Sequence, residues 1–174
     1  AGFPASIIEE GVDPAAMASE IEARQMKHAR DWKRRAIIGC SLWAPAEALH
    51  WLATPLGING PWLPWVMLIV STAAMMLVGT GFIKSALSAA ANRTTNMDTL
   101  ISIGASAAYA FSLFIFIANF FGYEANHPVY FTEAAALLAI ISLGHWIEAS
   151  ATAKAGSSIR ELLRMQPDEV EQLL

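Results

Sequence analysis

The chain has 174 residues, of which 55% are hydrophobic and only 15% charged, and its formal net charge is −4. A soluble domain of this length rarely reaches that apolar fraction, and an acidic balance gives no electrostatic attraction for nucleic acid. The single cysteine, Cys40, excludes a disulfide framework and a CxxC metal site within the chain. The composition therefore indicates a membrane protein with no nucleic-acid partner.

Four apolar stretches follow a polar segment, residues 1–35, that is expected to be cytoplasmic. In chain order they are residues 36–53, 62–83, 97–121 and 129–146. Stretches of this kind are typical of membrane-spanning helices. The fourth continues without a helix breaker into a polar helix that is predicted to run through Arg164.

The first two stretches contain irregularities. Pro45, Glu47 and His50 make the first stretch the weakest, and its length alone fits either a buried soluble helix or a tilted span. Gly79 and Gly81 lie near the end of the second stretch, where two close glycines weaken a helix and allow a kink. Residues 82–92 then continue as a short amphipathic piece.

The basic residues predict the orientation. All 11 Lys and Arg lie before residue 36, between residues 83 and 97, or after residue 150, and the loops 54–61 and 122–128 contain none. An even number of spans with every cation on one side satisfies the positive-inside rule. The sequence thus predicts an all-α, multi-pass protein of the cell membrane with four transmembrane helices. The second is kinked near Gly79 and Gly81, the fourth extends into the cytoplasm, and both chain ends are cytoplasmic.

Ionisable groups at the ends of these helices are the candidates for function, since such groups are costly inside a membrane. Glu148 lies just past the apolar part of the fourth stretch, on the membrane face where Met97 and Asp98 begin the third. A thioether and a carboxylate at one helix mouth could pass a soft cation inward. The residues alone also allow that Met97 packs and that Glu148 is solvated at a helix end.

Other polar residues are weaker candidates. Glu133 lies near the outer end of the fourth stretch, 15 residues before Glu148, or about 22 Å along a helix. It fits either release of a cation or an interfacial carboxylate facing water. His145 is expected to be a hydrogen-bonded interface residue rather than a ligand, and Glu47 and His50 are expected to be solvated.

Longer motifs resemble those of the heavy-metal-transporting P-type ATPases. Residues 96–104, Asn-Met-Asp-Thr-Leu-Ile-Ser-Ile-Gly, resemble the opening of that family's first core helix. Residues 129–135 and 143–148 resemble its second core helix, and residues 154–163 resemble the extension toward its actuator domain. Residues 2–5 are similar to the last residues of a ferredoxin-like metal-binding domain.

The resemblance implies a division of the chain into four parts. Residues 1–35 would be a cytoplasmic segment that includes the end of a metal-binding domain, and residues 36–92 two class-specific helices with an amphipathic platform. Residues 93–150 would be the first two core helices, and residues 151–174 the cytoplasmic extension.

The resemblance also implies roles for particular residues. In the copper branch, Met97 and Glu148 would belong to the uptake site, where the cation enters the membrane from the cytoplasm, and a third ligand would come from a later helix. The glycines Gly79 and Gly81 would kink the second helix into a platform where a copper metallochaperone docks, with Lys84 and Arg93 as its cations. The outer carboxylate of the family would stand at Thr132, so Glu133 is displaced by one residue, or about 100° around the helix.

The function implied is the N-terminal membrane part of an ATP-driven pump that exports a heavy metal, with copper(I) as the transported ion. Its partners would be membrane lipid, the remainder of the ATPase and a metallochaperone, and ATP and Mg would be needed only by the full-length protein. The chain has no Asp-Lys-Thr-Gly, Thr-Gly-Glu or Cys-Pro-Cys motif, so it is expected to be inactive alone. The alternatives are transport of zinc, cadmium or cobalt, and a stand-alone membrane protein without enzymatic activity that binds metal or a partner chain.

Overall fold

A computed structural model describes residues 14–53, 55–58, 60–123 and 127–164, with the side chains at both ends of this range left undescribed. The described chain is helical and contains no strand. The helices are α1 (Pro14–Ala53), α2 (Leu63–Ala74), α3 (Thr80–Ala91), α4 (Met97–Phe120) and α5 (Phe131–Arg164). A π-helical turn, Met75–Gly79, joins α2 and α3 into one continuous helix. The predicted all-α class is therefore confirmed, whereas the resemblance at residues 2–5 and the end of the extension lie outside the described residues.

Within the described residues, three helices are long and apolar enough to cross a membrane. They are Leu63–Ala91, Met97–Phe120 and Phe131–Gly156. The chain is therefore a multi-pass membrane protein. The remaining predicted crossing, residues 36–53, lies in α1, which is not one of the three, so this crossing stays a prediction.

The helix α1 unites two segments that the sequence analysis treated separately. The polar residues before Ala36 and the apolar residues after it form one helix of 40 residues, and Pro45 lies inside it. Proline removes one backbone hydrogen bond, which a membrane helix tolerates when neighbouring helices pack around it. The expected boundary between residues 35 and 36 therefore falls within a continuous helix.

Among the described helices, α1 and α5 share the most extensive packing interface. The contacting pairs, in order along α1, are Gln25 with Gly156, Trp32 with His145, Lys33 with Trp146, and Gly39 with Ala139. From Gln25 through the adjacent residues Trp32 and Lys33 to Gly39, the partner on α5 moves from Gly156 through residues 145–146 to Ala139, so the two helices are antiparallel. At Gly39 an added Cβ would lie only 3.0 Å from the Cα of Ala139, so the two backbones approach closely. Small residues permit this close approach of the backbones. Close van der Waals packing of this kind is a main driving force for helix association in a membrane.

Two apolar clusters hold the helices together. The first consists of Trp32, Val78, Phe82, Ile101, Ala105 and Leu138. The second contains Ala46, Met67 and Phe131, with Tyr109 and Phe116 packed against them. Each cluster takes side chains from α1, α4, α5 and the continuous helix formed by α2 and α3. The two clusters lie at different levels along the α1–α5 pair.

Polar bonds add to the second cluster. The hydroxyl of Thr72 donates to the carbonyl of Leu68 at 2.6 Å, so the hydroxyl of Tyr109, 2.8 Å away, donates to Thr72. The hydroxyl of Ser112 accepts from the backbone N–H of Tyr130 at 2.6 Å. These bonds fix α4 against α2 and against the start of α5.

The predicted irregularity in the second span coincides with the π-helical turn that ends at Gly79. A π turn holds one extra residue and is a recognised cause of helix bending. An added Cβ at Gly79 would lie 3.3 Å from Leu138 of α5, so glycine also gives α5 room here. The kink itself stays a prediction.

We expect Gly39→Val to destabilise the α1–α5 pair by about 1–3 kcal/mol, because overpacking forces two close backbones apart. The matched control is Gly144→Val on α5, where an added Cβ meets no atom within 4 Å. The measurement is the free energy of unfolding of each variant in mixed detergent micelles. Equal losses for the two variants would contradict the close contact at Gly39.

Candidate cation site

The start of α4 is fixed by a capping box. The side-chain oxygen of Asn96 accepts from the backbone N–H of Thr99 at 2.9 Å, and the hydroxyl of Thr99 accepts from the backbone N–H of Asn96 at 3.4 Å. The amide of Asn96 also donates to the hydroxyl of Ser85 at 3.1 Å, which ties α4 to α3. These bonds satisfy backbone donors at the helix end and set the position of Met97 and Asp98, the first two residues of α4.

Met97 and Glu148 line the same cavity, although they come from different helices. The cavity has a volume of about 540 Å³, and its walls are Gln25, His28, Met97, His145, Glu148, Ala149 and Thr152. The side chain of Glu148 is 75% exposed and Met97 is 55% exposed, so both donor groups are accessible. The structure thus brings together the two residues that the sequence singled out.

His145 lies between two carboxylates. Its Nε2 is 3.3 Å from Oδ1 of Asp98, and its Nδ1 is 3.8 Å from Oε2 of Glu148. The shorter distance is within ion-pair range, but its geometry is not that of a hydrogen bond, and both atoms are buried without a hydrogen-bond partner. A hydrogen bond weakens steeply when it is bent, so this contact contributes little as a hydrogen bond. His145 and Asp98 therefore contribute polar atoms that are not yet satisfied.

The helix α1 forms one wall of the cavity, which the sequence analysis did not foresee. Trp32 is buried, and its indole stacks on the imidazole of His145 with ring centroids 4.3 Å apart and planes 26° apart. Its Nε1 donates to Nε2 of His28 at 3.1 Å. Nothing in the sequence of α1 identifies His145 as the partner of Trp32, because the two rings meet only through the antiparallel packing of α1 on α5.

The glycine pair has two different neighbours. Gly79 faces Leu138, whereas an added Cβ at Gly81 would overlap the guanidinium of Arg35. That guanidinium also lies 5.0 Å from the ring centre of Trp32. Arg35 is thus a further cation near the expected platform that the sequence analysis missed.

The two cations predicted for the platform are both exposed. Lys84 lies on α3, and Arg93 follows α3 in a left-handed conformation with φ of 53°. The backbone N–H of Thr94 donates to the carbonyl of Ala89 at 2.9 Å, as expected at a helix end of this kind.

Glu133 lies apart from the cavity. It is exposed in the first turn of α5, 15 residues before Glu148, and accepts a hydrogen bond from the hydroxyl of Thr132 at 3.2 Å. Thr132, at the position where the resembling family carries its carboxylate, is buried. Glu133 therefore faces away from the core.

The described residues contain no group of three His, Cys, Asp or Glu side chains arranged to hold a metal ion. On the expected outer side, Glu47 accepts from Nε1 of Trp51 at 2.7 Å, and His50 is exposed. The cavity lined by Met97 and Glu148 combines a soft donor with a carboxylate, and both side chains are exposed, so it is an open site rather than a closed cage.

Comparison with known proteins finds relatives among the copper-transporting P-type ATPases. No family model matches the chain. It is 31% identical to the copper-exporting P-type ATPase B of Enterococcus hirae, over 70% of this chain and 16% of that protein. It is 36% identical to the copper-exporting P-type ATPase of Staphylococcus epidermidis, over 61% of this chain and 13% of that protein. The chain thus spans less than a fifth of the length of the curated relatives it matches.

We expect Asn96→Ala to lower the free energy of unfolding by about 1 kcal/mol, because it removes the cap of α4 beside Met97. Asn92→Ala is the control, since the side-chain amide of Asn92 donates to the carbonyl of Ser88 at the end of α3 and not to α4. Hydrogen exchange at the backbone amide of Thr99, which should be faster in Asn96→Ala than in Asn92→Ala, shows whether the loss of stability arises at the start of α4. Unchanged protection of that amide in Asn96→Ala would contradict the capping box.

Proposed function

Since this chain is homologous to a membrane portion of the copper-exporting P-type ATPases, we propose that it supplies part of the cytoplasmic uptake site of a copper export pump. The observation that carries the proposal is the cavity shared by Met97 and Glu148. Both residues were selected from sequence motifs, and they lie on different helices.

The donors of this cavity suit a cation in transit. A thioether is a soft ligand that favours monovalent copper over harder ions, and a carboxylate adds charge attraction. The exposure of both groups keeps the ligation weak, so the cation can leave again toward the membrane interior. The open side of the cavity leaves room for a further ligand from the remainder of the ATPase.

The packing of α1 supports a four-span arrangement. Residues 36–53 run beside the first turns of α5, within the stretch Phe131–Gly156 that is apolar enough to span. The face of α1 that is turned inward carries the buried residues Ala36, Ala46 and Ala53. The C-terminal half of α1 then lies at the same membrane depth as α5, both ends of the chain are cytoplasmic, and every Lys and Arg is on that side.

The exposed cations near the glycine pair support a docking platform. Lys84 and Arg93 are accessible, and Arg35 lies against Gly81. A kink at the π-helical turn directs this basic surface along the membrane plane, where an acidic face of a copper metallochaperone binds. In the whole pump, ATP hydrolysis through an aspartyl-phosphate drives transport, and the groups that perform it lie outside this chain.

In the pump that contains this chain, we expect Met97→Ala and Glu148→Ala each to raise the copper concentration for half-maximal ATP hydrolysis about tenfold or more. The reason is that each variant loses a ligand of the cation. A tenfold weaker affinity corresponds to a loss of about 1.4 kcal/mol of binding free energy. Met76→Ala is the control for the thioether, because Met76 is also exposed but lies on the π-helical turn. Glu133→Ala is the control for the carboxylate and should change the copper dependence little.

An unchanged copper dependence in both Met97→Ala and Glu148→Ala, in well-folded protein, would show that they are ordinary helix-end residues. An effect of Met76→Ala as large as that of Met97→Ala would point instead to a general role of exposed thioethers.

Reporter fusions test the proposed topology. We expect a reporter inserted in residues 54–61 or 122–128 to read external, and one fused after Leu174 to read cytoplasmic, because the cations flank only one side of the spans. A reporter fused before Ala1 should read cytoplasmic. A signal that places it on the same side as residues 54–61 would show that α1 does not cross.

A further inference from the structure

Trp32 belongs to α1 but makes its closest ring contact with α5. Its indole stacks on the imidazole of His145 at 4.3 Å and meets the ring of Phe82 at 5.4 Å. The bond from its Nε1 to His28 fixes the rotation of the indole plane. Because Trp32 is 8% exposed, the stack is sheltered from water.

The ring of His145 is therefore held at a fixed angle within the cavity. Its two nitrogens point toward different carboxylates, with Asp98 of α4 on one side and Glu148 of α5 on the other. His145 is 16% exposed and Asp98 13%, whereas Glu148 is 75% exposed. The carboxylate of Glu148 is thus the mobile member of the group, and the imidazole is the buried group that faces it.

We propose that Trp32 is a positioning residue of the uptake site, which holds His145 so that the carboxylate of Glu148 stays beside Met97. This proposal rests on the proposed function, since it concerns the same cavity. Without the indole, the imidazole can rotate about its side-chain bonds, and Glu148 is then free to turn into solvent. Groups that orient a ligand in this way typically contribute about tenfold to hundredfold to the affinity for a metal ion.

Trp32 is also a member of the first apolar cluster, so loss of packing must be separated from loss of positioning. Val78 offers the matched control. It is fully buried in the same cluster and has no aromatic ring to stack on His145. Truncation of Val78 weakens the cluster and leaves the indole–imidazole stack in place.

The test uses the 174-residue chain in detergent micelles with silver nitrate as the probe, because Ag(I) is a soft monovalent cation. The chain has four histidines, and ring-labelled histidine gives one NMR signal for each. In the wild-type protein the signal of His145 should be shifted upfield by the indole ring, and it should move when Ag(I) is added while that of His50 does not. A wild-type chain that binds no Ag(I), or in which the His145 signal ignores bound Ag(I), would overturn the proposal.

The variants separate the outcomes. We expect Trp32→Leu to lose the upfield shift of His145 and to weaken Ag(I) binding about tenfold or more, and Trp32→Phe, which keeps an aromatic face, to retain most of both. Val78→Ala should lower stability and leave the His145 signal and the Ag(I) affinity unchanged. Unchanged affinity in Trp32→Leu, or an equal loss in Val78→Ala, would refute positioning. If Met97→Ala and Glu148→Ala still weaken binding in that case, the uptake site stands, and if they do not, the proposed function fails as well.

Discussion

At Gly39 the backbone of α1 comes so close to Ala139 of α5 that a single added Cβ would meet the α5 backbone. Helices in lipid gain little from the hydrophobic effect against one another, so close packing of small residues decides which helices pair. The contact at Gly39 fixes the antiparallel register of α1 and α5. From this register follow the stack of Trp32 on His145 and the burial of Ala46 beside Phe131.

The register also explains the composition of the cavity. The residues Met97 and Glu148 come from α4 and α5, and those two helices alone leave the cavity open on the side that α1 occupies. The polar half of α1 continues along α5 beyond the apolar part of both helices, and it places Gln25 and His28 in the wall. The first helix, α1, therefore shapes a cavity whose two candidate donor residues belong to α4 and α5.

Sequence patterns predicted the parts of the structure that depend on local chemistry. The spans near residues 62–83, 97–121 and 129–146 were predicted by hydropathy, because the bilayer selects apolar helices by length and composition alone. The beginning of α4 at Met97 follows from the capping side chain of Asn96, which is also a local signal. The pairing of Met97 with Glu148 was predicted from the antiparallel run of neighbouring spans, and the structure places both in one cavity.

Features that depend on tertiary packing were not predicted. The continuity of α1 through residue 35 was missed, since a change from polar to apolar residues resembles a boundary even where the helix continues. His145 was interpreted as an ordinary interface residue, because its neighbour Trp32 lies more than a hundred residues away in the chain. The contact of Arg35 with Gly81 was missed for the same reason, so Gly81 was explained only by the expected kink of its helix.

A disulfide between α1 and α5 tests the antiparallel register most directly. In a Cys40→Ser background, the double variant Gly39→Cys with Ala139→Cys places two Cβ atoms about 3.2 Å apart. The spacing of a natural disulfide is about 3.5–4.5 Å, so the two helices need to separate by only a few tenths of an ångström for the bridge to form. Mild oxidation in micelles should give an intramolecular bridge, seen as faster migration that a reductant reverses. The pair Gly39→Cys with Gly144→Cys should give none. Absence of the first bridge, or equal formation of both, would contradict the register on which the proposed site depends.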